Sequence, residues 1–255
     1  MTEQPLGLNG RTFAEEAVRR IGELARTQAE AISAAADVVV AVSRADGVLH
    51  AFGTGHSEAC AMEIAGRAGG LVGTNKVSLR DVVFIGGMDP TGVDPLLERD
   101  PATGRQLFGL VKTAPGDAFV VISNSGGNGS VVEFALAVKE AGLPLVAITS
   151  VAHSSAIQSR HPSGKRLFEI ADIVIDNLAP YGDAILDLPG GGKACGISSV
   201  TSATAAQMVV AEALARLVAD GGTPPVYLSA NIPDADEHNQ KLEDHYAGRI
   251  HRGPF

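Results

Sequence analysis

The sequence predicts an α/β fold, with a parallel sheet carrying helices on both faces. Three observations point there. The short apolar runs VLHAF (48–52), AFVVISN (118–124), LPLVAITS (143–150) and ADIVIDN (171–177) read as strands buried on both sides. The first two are each followed by a glycine-rich turn and then by a stretch of helical period. Strands that alternate with helices form parallel sheets, and right-handed crossovers bring every strand-to-helix loop to one edge. Ligands of such sheets bind at that edge.

In chain order, residues 1–10 form a loose tail. Thr12 and Glu15 make a T-x-x-E capping box. Behind it Val18, Ile21, Ala25, Ile32, Val39 and Val42 recur near helical period, so 12–45 is one long helix or two joined ones. Asp46-Gly47 ends it. The strand 48–52 leads into GTGHS (53–57) and a helix over 58–68, with Ala61, Ile64, Ala65 and Ala68 on one face. Between 71 and 116 the pattern weakens. LVG (71–73) suits a short strand, DVVFIGG (81–87) is apolar without a clear place, and Pro101 and Gly104 interrupt any helix there. Beyond the strand 118–124, residues 131–142 form a helix closed by Gly142. After the strands 143–150 and 171–177 comes a long helix, 198–222, with a glycine stop. The tail gives a short extended piece and a terminal helix. The organisation is thus an N-terminal helical segment (1–45), a sheet domain (46–222) and a C-terminal extension (223–255).

Composition narrows the function. The chain has 255 residues and a formal charge of −9, which argues against a nucleic-acid face. An anionic ligand must then be held by local dipoles. Cys60 and Cys195 form no CxxC and read as reduced core residues of a cytoplasmic protein. No apolar run approaches the roughly 20 residues that span a bilayer, and no signal peptide is evident. Thirty glycines imply tight turns and close backbone approaches.

Three loops carry the chemistry. In Gly53-Thr54-Gly55-His56-Ser57, glycines let amides approach a ligand, the next helix offers its positive end, and Ser57 adds a hydroxyl. An ordinary turn with Ser57 as cap is the plainer reading. The loop Ser123-Asn124-Ser125-Gly126-Gly127-Asn128-Gly129-Ser130 sets hydroxyls, amides and glycines between strand and helix, enough to hold a phosphate without a lysine. Gly196-Ile197-Ser198-Ser199 opens the long helix and can hold a hydroxyl-rich or anionic ligand, or simply cap it. Two rivals fail. Gly55-His56-Ser57-Glu58-Ala59 approximates a nucleophile elbow, but only one strand precedes it and no oxyanion-loop sequence does. As a dinucleotide fingerprint, GTGHSE has Glu58 in place of the third glycine and lacks an acid about 20 residues on.

These loops resemble the SIS (sugar isomerase) family. FVVISNSGGNGSVVEFALAVKEAGLPLVAITS is similar to its signature, GTGHS to its first loop and GISSVTSAT to its third. The match spans roughly 45–220. The whole chain further resembles a group of bacterial SIS proteins labelled phosphoheptose isomerases, through HPSGKRLFEIADIVIDNLAPYGDA and SANIPDADEHNQKL. The resemblance implies a three-layer αβα sandwich of flavodoxin type with a five-stranded parallel sheet, assembled as homodimer or homotetramer. It implies a small phosphorylated sugar as ligand and no organic cofactor. Phosphate contacts fall to Ser123, Asn124, Ser125 and Asn128, with Gly126 in the same loop, and sugar contacts to Gly55, Ser57, Ser198 and Ser199. Phosphoheptose isomerases carry a histidine and a glutamate on the helix after the first loop. Glu63 and Arg67 stand there instead, so a zinc site of that kind is not expected, and no metal is assigned. The lysine that arabinose-5-phosphate isomerases carry in the first loop is also missing.

Aldose–ketose isomerisation needs a base and an acid for ring opening. Glu63, in an alanine-rich helix, is the carboxylate candidate; pairing with Arg67 is its structural alternative. His56 lies in the first loop. His238, in DADEHNQ, is a candidate for a pocket in its own or a neighbouring subunit. His153, His161 and Asp183 also follow strand ends. Turnover, a non-catalytic sensor and a phosphorylated amino-sugar etherase or lyase remain open.

Overall fold

The computed structural model describes residues 7–92 and 96–251. The first six residues of the expected N-terminal tail and the last four of the C-terminal extension lie outside them. Five strands, β1 (Leu49–Gly53), β2 (Thr74–Val77), β3 (Ala118–Ile122), β4 (Leu145–Thr149) and β5 (Ile173–Asp176), pair in the order β2-β1-β3-β4-β5. All pairings are parallel; Leu49 faces Thr74 on one side and Ala118 on the other.

Side chains alternate along each strand, which divides the core in two. Leu49, Ala51, Val120, Ile122, Val146 and Ile148 point to a layer formed by α2 (Ala29–Arg44), α3 (His56–Met62) and α8 (Ser198–Ala219). Phe52, Phe119, Val121, Leu145 and Ala147 point the other way. They meet α4 (Asp81–Phe84), α5 (Pro101–Leu110) and α6 (Gly129–Glu140). The result is the expected three-layer αβα sandwich. α8 is apolar enough in length and composition to cross a membrane, contrary to expectation. Its apolar residues Ala205, Val209 and Ala213 instead pack into the first core.

The N-terminal helix is two. α1 (Gly10–Thr27) and α2 are separated only at Gln28, which keeps the helical hydrogen bonds to either side. Its side chain accepts the Asp176 amide at 3.0 Å and so ties the break to the end of β5. The cap is Asn9, whose side chain accepts Thr12 N–H at 2.9 Å; Thr12 itself lies inside the helix. Other expectations need correcting. The second strand is Thr74–Val77, not 71–73. Pro101 opens α5 instead of breaking it, because the first turn needs no proline N–H and Asp100 caps it. α3 stops at Met62, well short of 68. The short helix α7 (Val151–Ser155) and the antiparallel hairpin of β6 (Ala184–Asp187) and β7 (Lys193–Gly196) are additions.

The C-terminal extension runs to α9 (Ala235–His245) and covers the amino-terminal edge of the sheet. Val226 bridges Leu71 just ahead of β2, and Tyr227 and Tyr246 pack on Val48 and Val72. Asn75 on β2 clasps the backbone beyond, donating to Arg249 O and accepting from His251 N, both at 2.7 Å.

Candidate functional site at the carboxyl edge

The strand order reverses between β1 and β3, which opens a crevice at their carboxyl ends. Gly53–Ser57 bounds it on one side and Ser123–Asn128 on the other. A Cβ on Gly53 would lie 2.4 Å from Ser57 O, so only glycine lets the first loop turn this tightly. Gly129, at the start of α6, is equally constrained: a Cβ there would sit 2.1 Å from Arg99 O.

The second loop is a cradle of donors. Gly126 N–H is spent on Ser123 Oγ at 3.1 Å. Among the described residues, nothing engages the amides of Ser125, Gly127, Asn128, Gly129 and Ser130, or the Ser125 hydroxyl. They gather at the N-terminus of a twelve-residue helix, whose dipole favours an anion.

Neighbouring elements hold the cradle from below. Thr149 Oγ1, at the end of β4, donates to Ser123 O at 2.6 Å; Ser154 Oγ donates to Ser125 O at 2.7 Å. Leu167 N–H and Arg160 N–H bind Gly126 O and Gly127 O, both at 2.8 Å. Asn177, fully buried beyond β5, donates to Asn124 Oδ1 at 3.1 Å and to Ser202 Oγ at 3.0 Å, and accepts from Ala179 N at 2.9 Å. Glu98 closes the far side. Its carboxylate accepts from Asn128 Nδ2 at 3.0 Å, and its carbonyl takes the Ser130 hydroxyl at 2.7 Å. Sequence reasoning missed all of these supports. Thr149 and Asn177 had one readable signal: each closes a buried strand at the edge already identified.

The other candidates divide. His56 is exposed and Ser57 half-buried on the first loop, beside the crevice. Ser198 is committed to Asp183, which receives its hydroxyl at 2.9 Å and its amide at 2.7 Å. Asp183 also accepts Ile197 N–H at 3.0 Å, so this carboxylate caps α8. Ser199 stays exposed on the first turn, and its carbonyl meets the Cys60 thiol. Burial pushes that thiol up to about 11, which leaves it protonated and inert. Glu63 stands at the end of α3, paired with Arg67 and bonded by Gln207 Nε2 at 3.1 Å. His161 anchors its loop through Glu133 Oε2 at 2.8 Å, and His153 Nδ1 accepts Gly182 N–H at 3.0 Å. His238 lies at the opposite edge, against Val226 O at 3.1 Å. Within one chain it is separated from the serine loops by the length of the sheet, because the extension docks where the strands begin.

Glu58, on the first turn of α3, belongs to the neighbourhood too. Its Oε1 accepts from Lys76 Nζ at 2.9 Å and Ser78 Oγ at 3.0 Å, with Arg80 at 3.2 Å. Burial raises this carboxyl, but the Lys76 and Ser78 hydrogen bonds and the two cations outweigh it and hold it below the ordinary range.

A crevice at the topological switch point, walled by a glycine turn and a serine-rich helix start, defines a doubly wound α/β protein with its candidate site at the carboxyl edge of the sheet. The SIS domain profile matches residues 12–150. The UPF0309 protein lmo0025 of Listeria monocytogenes is 40% identical over 94% of this chain and 98% of its own length. The UPF0309 protein BRA0910/BS1330_II0902 of Brucella suis is 34% identical over 93% and 96%. The chain belongs to the SIS domain family, within the UPF0309 group. Its fold is similar to that of a phosphoheptose isomerase from Francisella tularensis, with a TM-score of 0.53 at 15% identity, covering 80% of this chain and 95% of the other.

Proposed function

We propose that the chain binds a small phosphorylated sugar in the β1/β3 crevice, with its phosphate on the loop Ser123–Ser130. The unengaged donor set at the start of α6 carries this reading: five amides and a hydroxyl converge where the helix dipole is positive. Ser57 and Ser199 supply sugar contacts from the flanking elements. Calorimetry with a panel of sugar phosphates and their dephosphorylated counterparts tests it. Binding should require the phosphate, and Ser125→Ala should weaken it by about 1–3 kcal/mol, the scale of a bond to a charged group. Unchanged affinity in that variant ends the assignment.

Turnover as an aldose–ketose isomerase is the finer reading. His56 supports it, since it is the titratable side chain carried on the first loop itself and is free to reach a bound sugar. Glu63, held by Arg67 and Gln207, is less available as a base, and His238 could serve only a neighbouring copy. Incorporation of solvent deuterium at the sugar C2 position would reveal proton transfer. His56→Ala should then cut the exchange rate by roughly 10²–10⁴, whereas Glu63→Gln should leave it within tenfold. Binding without exchange would favour a sensor. An intracellular setting fits the two free cysteines, although only Cys60 is the core residue expected; Cys195, on the exposed β7 hairpin strand, is not.

A further inference from the structure

A second cavity of about 500 Å³ runs along the free edge of β2. That size suits a small organic molecule, for which pockets span roughly 300–1,000 Å³. It is separate from the serine loops: none of residues 53–57 or 123–130 lines it. The outer wall is apolar, formed by Phe84, Ile85, Leu107 and Leu110. The inner wall is not.

His50 lines that inner wall and is fully buried. Its ring stacks on Phe119 at 4.8 Å, and its Nε2 stands 3.3 Å from Asp117 Oδ2. A carboxylate only accepts, so Nε2 carries a proton, and in that tautomer Nδ1 presents a lone pair. Among the described residues, that Nδ1 is buried and has no partner. Arg249 lines the same cavity; its Nη2 binds Asp117 Oδ1 at 2.6 Å, while its Nε is also buried and unmet by any described residue. Orphaned polar atoms at such depth are rare, because each loses its hydration without a replacement. Here an unmet acceptor and an unmet donor belong to two residues that line one cavity. At the rim, Lys112 is exposed and, among the described residues, has no acidic partner.

We propose that this cavity is a binding site for a small amphipathic organic anion. An apolar body would lie between Phe84, Leu107 and Leu110. An O–H or N–H on it would donate to His50 Nδ1, and its acid group would take up Arg249 Nε and Lys112. A free sugar phosphate does not suit these walls, so the site serves a ligand distinct from that of the serine loops, and the inference does not rest on the phosphosugar reading.

The probe is anilinonaphthalene sulfonate, which combines fused rings, one N–H and one sulfonate and brightens on leaving water. Titrated into the full-length protein, it should saturate at one molecule per chain. Lys112→Glu and Leu110→Trp should each weaken it at least tenfold, while Ser125→Ala and millimolar inorganic phosphate leave it unchanged. Histidine-selective nitrogen NMR should show the His50 Nδ1 resonance moving on saturation. Both variants alter partly exposed positions, so the test survives should a His50 substitution fail to fold. Wild-type affinity in both variants, an unmoved His50 resonance, or no saturable site because a second copy seals the cavity would each overturn the proposal.

Discussion

Asn177 and Asn124 meet side chain to side chain at 3.1 Å, and that contact joins the end of β5 to the start of the serine loop. Asn177 is fully buried and uses both ends of its amide, so nothing local can replace it. Asn177→Ala should cost about 1–3 kcal/mol of stability in urea unfolding and loosen the cradle. Phosphosugar affinity should fall with it although Asn177 touches no ligand. A stable variant with full affinity would show that the loop holds its shape unaided.

The cradle contains no lysine or arginine, yet two arginines adjoin it. Arg160 donates its amide to Gly127 O at 2.8 Å, and the carbonyl of Arg99 abuts Gly129. Both side chains are exposed and lack an acidic partner among the described residues. Arg160→Ala should weaken sugar-phosphate binding by about fivefold to tenfold, near 1 kcal/mol, and flatten its dependence on salt. Calorimetry at low and high ionic strength reads both effects.

Asp117 sets an acid limit on the fold. Burial alone would raise its carboxyl, but hydrogen bonds from His50, Val48 N–H, Ala114 N–H and Arg249 bring it down to about 2 from 3.8. A carboxyl depressed by folding stabilises the protein above its unfolded value, and that contribution fades as pH falls toward the folded one. The loss should therefore run from about pH 4 to 2 and amount to about 2 kcal/mol. Unfolding curves of Asp117→Asn should be flatter across that window, and the variant weaker at neutral pH.

Val18 on α1 is 70% exposed, an unusual setting for a valine in the middle of a helix with polar neighbours. Covering it by a second copy is the expected outcome, in keeping with a homo-oligomer built on the N-terminal helices. Light scattering at micromolar concentration should give at least a dimer, and Val18→Glu should shift it toward monomer without unfolding. A monomeric wild type would remove this role from α1.

Much of this was legible because buried parallel strands are written as unbroken apolar runs. β3 and β4 stand within a residue or two of where the runs placed them. β2 was illegible because it is an edge strand whose Asn75 and Lys76 serve distant partners, Arg249 and Glu58. α5 was misread because a proline that breaks a helix interior also starts one. The donors of the cradle were visible as a string of small polar residues. Its braces were not, since Glu98, Asn177 and Ser202 reach it only through the tertiary fold. The edge on which His238 lies was hidden for a related reason: a polar segment carries no mark of which end of a sheet it will cover.

The clasp of the C-terminal extension has a consequence for how the protein is made. Asn75 and His251, joined at 2.7 Å, are 176 positions apart, and Asp117 waits 132 positions for Arg249. A nascent chain can assemble β1, β3 and β4 while the ribosome is still working, but Val48 and Val72 stay bare until Tyr227 and Tyr246 emerge. Contacts of such span form late and leave sticky surface uncovered meanwhile. Translation stalled anywhere before residue 225 would thus release an open-bottomed sheet, a ready client for chaperones.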